Sequence, residues 1–211
     1  MKTLNDYFEK IVCINLDKRQ DRWDKVIDEC SKHSIKIERF SAIDGDFLSS
    51  RSYLKQGELG CALSHLKIIE KAKNENLKNI LILEDDVEFD ADVNKKFFDY
   101  IVNLPEWDFL YLGANHALNN KCMSASESPV KVSENIYKLK EAYSMHCYAV
   151  QCSFFDKVLN FQNNLHAPID VLYSQLHKQS RSYVIYPSLA WQAEGFSDIQ
   201  KKYVDYDFLK K

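Results

Sequence analysis

The sequence is poor in the residues that break or staple a backbone. Its 211 positions include four prolines and five glycines, which excludes a collagenous or low-complexity disordered chain. Its six cysteines (Cys13, Cys30, Cys61, Cys122, Cys147 and Cys152) contain no CxxC pair, so a structural zinc site of the usual kind is not expected. Several thiols sit among apolar neighbours, as in Ile11-Val12-Cys13-Ile14, where a reduced thiol acts as a small hydrophobe. No run reaches the ~18 apolar residues of a spanning helix, and residues 1–10 lack the apolar stretch of a secretory leader. These features predict a cytoplasmic protein that does not cross a membrane. The formal charge of -3 supplies no general drive toward nucleic acid. GxGxxG, P-loop, GxSxG and HExxH patterns are all missing, which disfavours a nicotinamide dehydrogenase, a P-loop kinase, an α/β-hydrolase and a zincin.

Buried strands and amphipathic helices alternate instead. Ile11–Leu16 is a short apolar run, and Trp23, Val26, Ile27 and Cys30 then form one helical stripe. Ile35–Phe40 alternates with period two, and Asp44-Gly45 marks a turn. Apolar residues recur at helical spacing from Glu58 to about Lys73, before a run of four aliphatics, Ile80–Leu83. Further helices are expected at 93–102, 154–161 and 171–178, and further strands at 109–112, 146–151 and 183–186. Residues 115–134 are polar and aperiodic, the mark of a functional or mobile segment. The alternation predicts an α/β domain with a central, mostly parallel sheet flanked by helices. In such sheets ligands occupy the crevice at the strands' carboxyl ends, into which Asn15–Asp17 and Glu84–Asp86 would both open. We expect one domain over 1–199. The basic-aromatic tail, 200–211, reads as a solvated terminus or a strip making peripheral contact with an anionic bilayer.

Glu84-Asp85-Asp86 directly follows the aliphatic run. Three adjacent carboxylates repel unless a cation or donor groups compensate, and Mn²⁺ or Mg²⁺ takes such hard oxygens while leaving positions for phosphate. Residues i and i+2 of an extended segment share a side, so Glu84 and Asp86 are the expected metal-facing pair, with Asp85 left to a donor contact. The competing reading is an exposed acidic turn continued by Glu88, Asp90 and Asp92. Arg19 and Arg22 follow the first strand and could hold a diphosphate, or face solvent beside Asp17, Asp21 and Asp24. Ser64 and His65 lie within an apolar helix, where a histidine is commonly structural.

Taken in order, INLDKRQDR (14–22), AIDG (42–45), GELGCALSH (57–65), ILILEDDVEF (80–89), APID (167–170) and QAEGFSDI (192–199) resemble glycosyltransferase family 25, the lipooligosaccharide and collagen galactosyltransferase group. The resemblance spans about Lys10 to Ile199. It implies a GT-A-like fold, a UDP-sugar donor (UDP-galactose above all), inversion at the anomeric carbon and a glycan or glycolipid acceptor. Glu84-Asp85-Asp86 would stand at the position of the DxD-type motif, with Glu in place of the first Asp. Asn15, Arg19, Arg22, Asp44, Ser64, His65, Asp85 and Gln192 would surround the donor. Inversion needs a carboxylate base for the acceptor hydroxyl. Asp170 is the candidate, or else it caps the helix near Val171; Glu194 and Asp198 are the reserves. Trp107, Tyr111 and Trp191 could stack on a sugar or fill the core. Two other classes stay open: an inactive transferase fold used for binding or adhesion, and a metal-dependent phosphatase or nucleotidyltransferase.

Overall fold

The computed structural model describes residues 2–49, 54–118 and 126–210. Cys122 and the middle of the polar 115–134 segment lie outside them. The first half runs β1 (Ile11–Asn15), α1 (Gln20–Lys32), β2 (Glu38–Ser41), α2 (Gln56–Asn74), β3 (Asn79–Glu84), β4 (Val87–Phe89), α3 (Val93–Tyr100) and β5 (Phe109–Asn115). The second half adds β6 (Val130–Lys131), β7 (Ile136–Lys138), β8 (Tyr143–Gln151), α4 (Phe155–Leu159), α5 (Ile169–His177), β9 (Ser182–Ile185), β10 (Ala190–Gln192), β11 (Gly195–Ser197) and β12 (Lys202–Val204). The main sheet has the order β2-β1-β3-β8-β5-β9-β7-β6.

The GT-A-like α/β expectation holds in class and layering, but the sheet is mixed. β1 is parallel to β2 and β3, and β5 to β9, whereas β8 runs antiparallel to both β3 and β5. Apolar alternation reveals buried faces but not strand direction. Strand side chains divide between two cores. Ile11, Cys13, Leu81 and Leu83 pack with α1 and α3 residues such as Val26 and Phe97. Val12, Ile80 and Ile82 pack with Ala62, Leu66 and Ile69 of α2 and with Tyr173 of α5. Ile27 is largely exposed, so the apolar stripe of α1 is narrower than its sequence suggests. Trp107 and Tyr111 are buried in the cores, and Trp191 donates its indole N–H to Glu88.

Two features position the site. Chain order reverses around β1, because the connection through α1 leads to β2 on one side and the connection through α2 leads to β3 on the other. Ile14 is in register with Glu84, so the carboxyl ends of β1 and β3 open side by side at this switch point. The segment after β2 also lies directly on α2: a Cβ on Gly60 would stand 2.4 Å from the Ile43 carbonyl oxygen, and one on Gly45 would stand 2.0 Å from that of Gln56. Only glycine permits these approaches.

The segment from 200 onward corrects the expectation of a solvated terminus. β12 pairs antiparallel with β11. Leu209 is buried, worth roughly 1.5–3 kcal/mol for a leucine, and the Lys210 ammonium lies 5.9 Å from the Trp191 ring centroid. No described helix is long and apolar enough to cross a membrane.

Candidate active site

A cavity of about 720 Å³ opens at the switch point, the size of a small-molecule site. Glu84, Asp85 and Asp86 form part of its wall. The cluster is not an exposed turn, since the Asp85 and Asp86 side chains are only 10% and 16% accessible. Each carboxylate has a different environment. Glu84, the last residue of β3, lies 3.5 Å from His65 Nε2 and accepts from Gln192 Nε2 at 3.4 Å. Asp85 points toward α1, accepting from Asn15 Nδ2 at 2.6 Å and from Arg22 Nη1 at 2.7 Å. Asp86 lies 3.5 Å from Arg22 Nη1 and is also hydrogen-bonded by Gln192. Gln192 therefore links Glu84 and Asp86, while Asp85 faces away from it.

Burial and the adjacent Glu84 charge push the Asp86 carboxyl up to about 7. Burial also acts to raise Glu84, but the His65 imidazole beside it outweighs this and holds the group below its ordinary value. The two carboxylates titrate as a pair, with the proton affinity raised on the Asp86 side. Asp86 Oδ1 is buried with no hydrogen-bond partner. Two hard carboxylates, one with an orphaned oxygen, fit a divalent cation such as Mn²⁺ or Mg²⁺. The ligand atoms of Cys61, His65 and Glu84 also lie within 4.8 Å of one another. His65 Nδ1 is bonded to the Tyr148 hydroxyl at 2.9 Å, which leaves the buried Nε2, 3.5 Å from Glu84, without a hydrogen-bond partner; a ring held in this way can orient Glu84 or serve as a ligand itself.

Of the anticipated donor-contacting residues, Arg22, Asp44, Ser64, His65, Asp85 and Gln192 line the cavity. Asn15 and Arg19 stand behind it. Asn15 accepts from Arg39 at 2.5 Å while donating to Asp85, and Arg19 pairs with Asp21 and Asp198. Ser64 donates to the Gly60 carbonyl at 2.7 Å and accepts from the Ile43 N–H at 2.8 Å, tying the 42–45 segment to α2. Asp44 is held by Lys18 at 2.6 Å.

Asp170 also lines the cavity. It is the second residue of α5, not its cap. Its oxygens accept from the N–H groups of Val171 at 2.9 Å and Ser144 at 3.3 Å. Burial raises its carboxyl above the ordinary value, against those two bonds. Ser144 has φ 66°, a left-handed conformation uncommon outside glycine, and this turns its N–H toward Asp170. Asp198 also lines the cavity but is paired with Arg19, and Glu194 is exposed outside it. Sequence reasoning missed Ser144, Lys201 and Asn115, whose buried Oδ1 has no partner. No periodic signal marks any of them.

The site is an acidic cavity at the strand carboxyl ends of a helix-flanked sheet, the place where open α/β folds bind their ligands. The chain belongs to glycosyltransferase family 25: residues 8–193 match the model of "Glycosyltransferase family 25 (LPS biosynthesis protein)". It is similar to procollagen galactosyltransferase 2 of Homo sapiens, with 28% identity over 158 residues, covering 64% of this chain and 24% of that one. It is also similar to the inactive glycosyltransferase 25 family member 3 of Homo sapiens, with 27% identity over 129 residues, covering 50% of this chain and 22% of that one. The chain thus spans about a quarter of the length of these relatives. The fold is shared with A197 from STIV, at a TM-score of 0.50 and 12% identity, covering 92% of this chain and 93% of that one.

Proposed function

We propose that the protein is an inverting, metal-dependent hexosyltransferase that moves galactose from UDP-galactose to a glycan or glycolipid acceptor such as lipooligosaccharide. One observation carries the reading: a single cavity holds both the Glu84–Asp86 pair, with its orphaned oxygen, and a buried carboxylate of raised proton affinity, Asp170. Glu84 and Asp86 would hold Mn²⁺ or Mg²⁺, which as a Lewis acid neutralises charge on the departing diphosphate. Asp170 takes the proton of the acceptor hydroxyl as its oxygen attacks the anomeric carbon. The bond from that carbon to the UDP oxygen breaks, and UDP leaves from the opposite face. Arg22, bound to Asp85, Asp86 and the Phe196 carbonyl, keeps the acidic wall in place. The free thiols Cys13, Cys30, Cys61, Cys147 and Cys152 suit a reducing compartment, and we place the reaction in the cytoplasm, at most peripheral to the membrane.

The test is UDP release from a panel of UDP-sugars with and without Mn²⁺. Failure to bind or turn over any of them ends the reading. The similarity to a relative named inactive keeps a binding role as the alternative, and turnover unchanged in Asp86→Ala would remove the metal role assigned here.

A further inference from the structure

The β11–β12 hairpin lies beyond the residues that match the family, 8–193, yet it forms one wall of the cavity through Ser197, Asp198, Ile199, Gln200 and Lys201. It is fixed to α1 at two points: Arg22 Nη2 donates to the Phe196 carbonyl at 2.9 Å, and Arg19 pairs with Asp198. Its turn is closed by Lys201 N–H donating to the Ser197 carbonyl at 2.8 Å and Gln200 N–H donating to Ser197 Oγ at 3.1 Å. Lys201 takes φ 54°, a conformation that costs a residue with a Cβ about 1 kcal/mol or more and persists where the surroundings impose it.

A nucleoside diphosphate brings at least two negative charges into a cavity already rich in carboxylates. Among the described residues, the lysine and arginine side chains that line it are Lys18, Arg22 and Lys201. Arg22 is engaged by Asp85 and Asp86, and Lys18 by Asp44 at 2.6 Å and Asp46 at 2.9 Å. Lys201 makes no ion pair with any described residue. It is exposed, so its ammonium is solvated and keeps its hydrogen-bond donors available.

We propose that the β11–β12 hairpin is a diphosphate-binding subsite in which Lys201 is the cationic contact to the donor's phosphates. The inference rests on the transferase reading above and deepens it, since the hairpin lines the same cavity as Glu84 and Asp86, the residues that would hold the metal. Charge-assisted bonds from an ammonium to phosphate oxygens are among the stronger polar contacts. Lys201 is also free of the carboxylate partners that occupy Arg22.

The full chain with Mn²⁺ is titrated with UDP and, separately, with UMP, by calorimetry, using wild type, Lys201→Gln and Lys201→Arg. The expected result is UDP affinity weakened about tenfold in Lys201→Gln, largely retained in Lys201→Arg, and UMP affinity changed by less than about threefold. If wild type binds UDP and Lys201→Gln binds it equally well, the subsite is refuted while the transferase reading stands. An equal loss for UDP and UMP also refutes it, because the effect is then not on the diphosphate. If wild type binds neither UDP nor any UDP-sugar, the transferase reading itself falls.

Discussion

Arg22 Nη1 lies 2.7 Å from Asp85 Oδ1 and 3.5 Å from Asp86 Oδ2, so one guanidinium on α1 holds two of the three adjacent carboxylates at the end of β3. Its second nitrogen reaches the Phe196 carbonyl. The acidic wall and the C-terminal hairpin are thus joined through a single side chain, and removing it leaves buried charge without a partner. Arg22→Ala should lower stability by about 3–5 kcal/mol and UDP-sugar turnover by at least tenfold. Arg22→Lys should recover only part of both, because an ammonium cannot span the same three acceptors. Urea unfolding and initial rates measured side by side provide the check.

With Asp170 as the proposed base, the acid limb of the reaction follows its carboxyl. Burial raises that carboxyl, so kcat/KM should rise with pH through a value above that of an ordinary aspartate. Asp170→Asn should reduce kcat by roughly 10²–10⁴ while UDP binding stays within about threefold of wild type. Retention of most of the rate would remove Asp170 as the base.

Three buried histidines should make the protein acid-sensitive. Burial takes His116 and His146 down to about 4 and His177 to about 3. The unfolded chain binds these protons near the ordinary value of 6.5 and the folded one does not. Their contribution is therefore complete above 6.5 and is lost as pH falls from there toward 4. Asp86, raised to about 7, and the Asp85 and Asp170 carboxyls, raised by burial, work the other way and blunt the slope. The melting temperature should drop across that interval. His146 Nε2 lies 3.2 Å from the Ala190 carbonyl and donates to it, a bond that favours the charged ring, so burial alone accounts for the lowered value. His146→Gln should flatten the slope.

The contact between the 42–45 segment and α2 depends on Gly60 and Ser64. Gly60→Ala places a methyl against the Ile43 carbonyl and should cost about 1–3 kcal/mol. Ser64→Ala strands the Ile43 N–H at about 1–2 kcal/mol. Both should raise KM for the donor by shifting Asp44 and the cavity floor, which chemical denaturation and steady-state kinetics would reveal together.

Long apolar periods were readable before any coordinates. β1, α2 and β3 fall within two residues of the expected Ile11–Leu16, Glu58 to about Lys73 and Ile80–Leu83, because each element has a large buried face that constrains its composition. The same logic placed Asn15 and Glu84 at strand ends opening into one crevice; that the two strands are neighbours is shown by their pairing. It fails where burial is slight or pairing is nonlocal. β2 is an edge strand displaced from Ile35–Phe40 to Glu38–Ser41; β6, β7, β11 and β12 have two or three residues each, too few to show a period. Charge is visible in a sequence, but its partner is not. Arg22 could be seen as a cation near a phosphate, yet nothing in INLDKRQDR says that Asp85, sixty-three residues later, would occupy it.

The cavity wall draws on Ile14, Asp44, His65, Glu84, Asp170 and Lys201, positions scattered through nearly the whole chain. No contiguous fragment carries enough of it to recognise a ligand, so binding competence emerges only with the complete tertiary structure. A molecule seated there bridges both cores' supporting layers and must be released before the domain can come apart. Occupancy should therefore slow amide hydrogen exchange in strands and helices far from the ligand, as global rather than local opening is suppressed.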